Sequence, residues 1–156
     1  MNYIVLLVPI ILFLLGKDKN KFSARQKRLL RSDILVSIDQ ICDLLKLRYK
    51  RYIAAICLTE SFGNEGVSGS SGEIGLMQIM PSTFQYLDNI YHFNFDLNDL
   101  WAIKPNIYVA STLFKHNLNH LNYDLFDTIK SYNVGVDLSP KDKATYYLKK
   151  VLNNAS

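Results

Sequence analysis

The sequence predicts a mainly α-helical domain with little or no sheet, preceded by an N-terminal hydrophobic helix. Three observations carry this. Apolar residues recur at three-and-four spacing through most of the chain. Proline and glycine stand where such runs begin and end, as at Pro81, Pro105, Gly135 and Pro140. Alternating β-branched runs are almost absent. With 156 residues, 49% hydrophobic and 21% charged, the chain suits one domain with one core.

Tyr3 to Leu15, YIVLLVPIILFLL, is an unbroken apolar run. Its 13 residues match a signal-peptide core and fall short of the roughly 20 that span a bilayer upright. No Lys or Arg precedes it, no small-residue cleavage site or lipobox cysteine follows, and Lys17, Lys19, Lys21, Arg25, Lys27, Arg28 and Arg31 come directly after. Cationic residues behind an apolar segment favour the headgroup side. Residues 1–16 therefore read as an uncleaved membrane anchor, with a cleaved signal as the alternative. Residues 17–32 read as a basic juxtamembrane linker or the start of a helix, and 33–156 as the working domain. Membrane lipid is the expected partner of residues 3–15 and of the basic segment 17–31.

Charge supports that division. Residues 1–52 hold 11 Lys/Arg against 4 Asp/Glu, and residues 53–156 hold 7 against 10. The basic excess belongs to the N-terminal third, and no nucleic-acid motif accompanies it. Cys42 and Cys57 each lie on an apolar helical face and read as buried thiols, a disulfide between two helices being the other possibility.

From Asp33, the residues Ile34, Ile38, Ile41, Cys42 and Leu45 trace one helix face, with Ser32 or Asp33 as N-cap. A helix over about 50–61 delivers Glu60. Another begins at Pro81-Ser82-Thr83 and runs to about Asn89, followed by an irregular polar-aromatic stretch, Tyr91–Asp99. Ile107, Ala110, Leu113, Phe114 and Leu118 predict a helix over 105–119. Two more follow, over about 123–133 and 139–152, the second with Pro140 at its start.

Between Glu60 and Pro81 lies a loop with glycines at 63, 66, 69, 72 and 75, closing on Leu76-Met77-Gln78-Ile79-Met80. A carboxylate at the apolar root of such a loop is poorly solvated, so its pKa rises and it holds a proton near neutrality, as a general acid must. Glu60 is the candidate.

Glu60-Ser61, Gly72-x-x-Gly75-Leu76-Met77-Gln78-Ile79-Met80-Pro81-x-Thr83, Asn106-Ile107, Tyr132-Asn133-x-Gly135 and Tyr147-x-x-x-Val151 occur in this order. Over about residues 33–152 the chain thereby resembles soluble-type lytic transglycosylases (the SLT domain) of the lysozyme-like superfamily. The resemblance implies that superfamily's fold. It also implies cleavage of the β-1,4 bond between N-acetylmuramic acid and N-acetylglucosamine in peptidoglycan, leaving 1,6-anhydromuramoyl ends. Glu60 matches the single catalytic glutamate. One carboxyl suffices because the sugar's own C6 hydroxyl attacks, so neither a second carboxylate nor a cofactor is implied.

The substrate-binding candidates are Ser61, Ser68, Ser70, Met77, Gln78, Tyr132, Asn133 and Tyr147. Gln78 would hydrogen-bond sugar, and Met77 is either an apolar cleft wall or core. Tyr132 or Tyr147 would bring a hydroxyl to Glu60, and Asn133 is either a site residue or a helix C-cap. The chain departs from the family in two places. Gly69 stands where a serine is usual, nine residues after the glutamate, with Ser68 and Ser70 beside it. Glu73 stands where alanine is usual. It reads as a solvated loop charge, as does Glu65, unless it points into the cleft and activates water, which would make the enzyme a muramidase. A non-catalytic wall-binding protein is the remaining alternative.

His116 and His120, at i,i+4, have zinc-binding spacing but neither a third ligand nor an HExxH pattern, so they read as a solvated helix face. The resemblance and the anchor together imply a location at the bacterial envelope or in a virion membrane, with a role in local wall opening beside virion or secretion-machine proteins. If the apolar run is a signal, a secreted or periplasmic enzyme is implied instead.

Overall fold

The computed structural model describes residues 18–121, 123–139 and 141–156. The apolar run expected to anchor the chain and the helix-starting Pro140 lie outside the described residues. Among the described residues there are seven α-helices, one 3-10 helix and no sheet, and no helix is long and apolar enough to cross a membrane.

Helix α1, Ala24–Leu29, occupies the segment expected as a basic linker. Ser23 caps it reciprocally. Its Oγ accepts from Gln26 N at 3.2 Å, while Gln26 Oε1 accepts from Ser23 N at 3.0 Å. So short a helix is not stable alone. Its anchor is Gln26, which is fully buried and donates through Nε2 to the Arg51 carbonyl at 2.7 Å and the Asn154 carbonyl at 3.1 Å. Of the two readings of this segment, linker or start of a helix, Ala24–Leu29 is helical and docked into the domain.

Helix α2, Ser32–Leu44, buries Ile34, Ile38, Ile41 and Cys42 as the spacing predicts. Its N-cap is Arg31, not Ser32 or Asp33. Asp33 lies inside the first turn, where acidic residues suit the helix dipole, and pairs with Arg31 at 3.0 Å. Arg31 also holds Glu65 at 3.0 Å, so Glu65 is a partnered loop charge.

Helix α3, Lys50–Glu60, is buried continuously from Arg51 to Leu58. Burial on every face marks it as the central helix. The buried Arg51 guanidinium has carbonyl partners, with Nη1 donating to Ala155 and Nε to Asp18, each at 3.1 Å. Cys42 and Cys57 are free buried thiols, as expected, with burial pushing both up to about 12.

Helix α4, Pro81–Tyr91, starts with proline at its first turn and ends at His92 in the left-handed region. The irregular stretch after it contains the 3-10 helix Leu97–Trp101, capped by Asp96. Helix α5, Ile103–His120, and helix α6, Leu125–Val134, follow, the latter capped by Asp124 and stopped at Gly135. Helix α7, Lys141–Ala155, is the last. Helix α3 packs against α7, α2 against α5, and α6 against both α5 and α7. The core runs from Ile34 and Ile38 through Ile53 and Ile56 to Phe114, Leu148 and Val151.

Candidate active site

Glu60 is the last residue of α3, where the buried helix meets the glycine loop. That loop is held by three side chains. Ser61 Oγ donates to the Leu76 carbonyl at 2.7 Å and accepts from Gly63 N at 3.2 Å. Asn106, fully buried on α5, accepts from Met77 N at 2.7 Å and donates to the carbonyls of Ile74 and Leu100 at 2.9 and 2.7 Å. Tyr132 Oη donates to the Met77 carbonyl at 2.8 Å. Two isolated antiparallel bridges, Ser68 with Ile74 and Ile74 with Ile79, complete the fold of the loop.

Gly75 is required on two counts. Its φ is +68°, and a Cβ there would sit 2.8 Å from both Asn106 Nδ2 and the Leu100 carbonyl. Gln78, also left-handed at φ 49°, is not glycine. Its side chain offsets part of that strain, Nε2 donating to the carbonyls of Gly75 at 2.8 Å and Val67 at 3.0 Å.

These fastenings shape a cleft of about 300 Å³ lined by Glu60, Gly69, Ser70, Glu73, Gln78, Met80, Tyr132 and Asn133. Tyr147 Oη donates to Glu60 Oε1 at 2.5 Å. The Glu60 carboxyl is raised to about 7, chiefly by burial and further by the negative Glu73, while the Tyr147 hydrogen bond and Lys150 oppose the shift. Near neutrality an appreciable fraction is therefore protonated, and the carboxyl lines an open groove.

The structure gathers Glu60, Ser70, Gln78, Tyr132 and Asn133 at this cleft, with Tyr147 behind Glu60. Of the two tyrosines, Tyr147 meets the carboxyl and Tyr132 the loop backbone. Ser61 acts as a fastener of the loop, and Ser68 lies outside the cleft lining. Met77 is corrected to core. Its side chain is fully buried and presents no surface to a ligand. Met80 lines the cleft instead. It stands before Pro81 in extended backbone, φ −69° and ψ 137°, beyond the last bridge residue Ile79. The proline was the signal that could have separated the two methionines.

Glu73 is likewise corrected, from solvated loop charge to cleft wall. His116 is not a solvated face either. It is buried, with Tyr86 Oη 3.1 Å from Nε2 and Tyr91 Oη 2.9 Å from Nδ1. Burial, then the neighbouring His120, lowers its pKa. No group of three or more His, Cys, Asp or Glu side chains able to hold a metal occurs among the described residues.

A family model described as "Transglycosylase SLT domain" matches residues 48–154. No curated protein matches the chain. That match takes in α3 with Glu60, the glycine loop, Asn106, Tyr132 and Tyr147, and covers more than half of the sequence. The chain belongs to the transglycosylase SLT domain family, whose members act on peptidoglycan.

Proposed function

We propose that the protein is a peptidoglycan lytic transglycosylase that cleaves the bond between N-acetylmuramic acid and N-acetylglucosamine and leaves 1,6-anhydro ends. The observation that carries this is Glu60, a carboxyl raised to about 7 at the wall of an open groove and held by Tyr147.

Protonated Glu60 gives its proton to the glycosidic oxygen as the bond to C1 of the muramic sugar breaks. The sugar's C6 hydroxyl oxygen then bonds to C1, and its proton passes to the Glu60 carboxylate, restoring the acid. Attack from within the same ring draws on proximity already established by binding. Gln78, Asn133 and Ser70 supply polar edges to the sugars, and Met80 an apolar one.

The same proposal places the enzyme at the envelope or in a virion membrane. There it would open the wall locally for a virion or an envelope-spanning machine, with the apolar residues 3–15 and the cations after them as the tether. The run of 13 apolar residues followed by lysine and arginine supports the tether.

The test is digestion of purified sacculi by the wild-type protein and Glu60→Gln, with mass analysis of the soluble muropeptides. Wild type is expected to release products lighter by one water than hydrolysed ones, and Glu60→Gln to release them at least 100-fold more slowly, roughly the contribution of general acid catalysis. Equal release by the variant would overturn the role of Glu60.

A further inference from the structure

Glu73 follows from a local exchange of space with Gly69. The segment from 69 to 73 folds back on itself. Gly69 N donates to the Glu73 carbonyl at 2.9 Å, and Gly72 N to the Gly69 carbonyl at 3.2 Å. Gly72 supplies the left-handed turn, with φ +90° and nothing near its missing side chain. Gly69 serves the opposite purpose. Its φ is unremarkable, yet a Cβ there would stand 2.1 Å from Glu73 Oε2, 2.7 Å from Glu73 Cδ and 2.8 Å from Gln78 Oε1. The bare backbone at 69 thus makes room for a carboxylate delivered from 73.

That carboxylate is held in place, with Ser71 N donating to Oε2 at 2.9 Å. It shares the cleft with Glu60 and is close enough to act on that carboxyl's charge. Among the described residues no Lys or Arg lines this cleft, and Lys150 acts on Glu60 without lining it. One acid and one further carboxylate on the same groove are the equipment shared by paired-carboxyl glycosidases, and in the inverting kind the second carboxylate activates water.

We propose that Glu73 is the general base of a hydrolytic route that competes with internal attack in this cleft, so that the enzyme yields reducing ends alongside anhydro ends. The proposal rests on Glu60 acting as the glycan-cleaving acid. Glu60 protonates the departing oxygen as the C1–O bond breaks. A water oxygen bonds to C1, and the proton that water loses goes to Glu73. Glu60 is left as the carboxylate and Glu73 as the acid, and exchange with solvent restores both. Gly69 is a positioning residue in this scheme, acting through the space it leaves.

The experiment measures the ratio of reducing to anhydro muropeptide ends that wild type, Glu73→Gln and Gly69→Ser release from sacculi. A ratio is insensitive to how much of a variant folds. Wild type is expected to give both kinds of end, and both variants to lower the ratio at least tenfold, Gly69→Ser because its side chain displaces the Glu73 carboxylate. Wild-type products that are all anhydro would overturn the role of Glu73 and leave the transglycosylase intact. A ratio unchanged by Glu73→Gln would also overturn it. Release of neither product would remove the parent reading and this one together.

Discussion

The Tyr147 hydroxyl donates to Glu60 Oε1 at 2.5 Å, across a sequence separation that joins the last helix to the central one. The bond has two effects. It orients the carboxyl, and because it strengthens with negative charge on the acceptor it favours the ionised form. Burial acts the other way and prevails, holding Glu60 at about 7. The phenol itself is pushed well above its ordinary range, first by burial and then by the nearby Glu60, so it remains a donor throughout the working pH range.

Activity should therefore fall on the alkaline side with an apparent pKa of about 7 in kcat/KM, since the acid must enter the reaction protonated. Tyr147→Phe removes the bond that favours the carboxylate and should move that limb upward. Glu73→Gln removes a neighbouring negative charge and should move it downward. Profiles for the three proteins, taken between pH 5 and about 9, check both directions against the causes of the shift.

The same shift predicts a stability effect with a definite sign. An unfolded glutamate ionises near its ordinary 4.5, whereas folded Glu60 holds its proton to about 7. Below 4.5 both states are protonated and the residue's full stability is present. As pH rises through this window the unfolded state gains by ionising first, so the native state loses stability, by up to about 3 kcal/mol at pH 8. Glu60→Gln cannot ionise. Urea melts should show it nearly level with wild type at pH 4 and more stable by roughly that amount at pH 8.

Asn106 joins two backbone groups of the loop, at Ile74 and Met77, to the Leu100 carbonyl of the 3-10 helix from a site without solvent. Asn106→Ala leaves the buried Met77 N–H without its acceptor and takes a donor from the Leu100 carbonyl and one of two donors from the Ile74 carbonyl, which keeps Ile79 N, and this should cost at least about 2 kcal/mol by denaturant unfolding. Gly75→Ala should produce a comparable loss, because its Cβ meets both Asn106 and the Leu100 carbonyl while the backbone stays left-handed. If either variant matched wild-type stability, the loop's anchorage would lie elsewhere.

The two methionines should behave oppositely. Met77→Ala empties a core position and should cost about 2–5 kcal/mol of stability. Met80→Ala removes an apolar wall of the cleft. It should raise KM for glycan strands several-fold, with a smaller change in stability. Paired melts and kinetics separate the two.

The helices were legible wherever one face was apolar, and α2 and α5 bury most of the residues their spacing picks out, with Leu45, Leu113 and Leu118 half-buried. Glu60 was legible because a buried helix gives way there to a polar glycine loop. Less was legible where a distant element decides. Whether Tyr132 or Tyr147 meets Glu60 depends on how α7 crosses α3, which no local pattern records. Gln26 looked like part of a basic tail because its burial depends on carbonyls 25 and 128 residues away. His116 has the spacing of a surface pair, yet two tyrosines on α4 enclose it. Glu73 was ambiguous for another reason. Its direction is set by a missing side chain at 69, and an absence of atoms leaves no periodic trace.

The docking of Gln26 bears on how this protein can be trimmed. Cutting the chain back to the matched span, 48–154, would uncover Ile34's neighbours in α3, take from the buried Arg51 guanidinium both of its carbonyl partners, at Asp18 and Ala155, and remove the whole of α2's share of the interior. Such a fragment should be insoluble or molten, whereas one beginning at Asp18 retains both helices and the carbonyl that Arg51 grips. For this chain the smallest foldable unit is larger than the stretch by which its kinship is recognised.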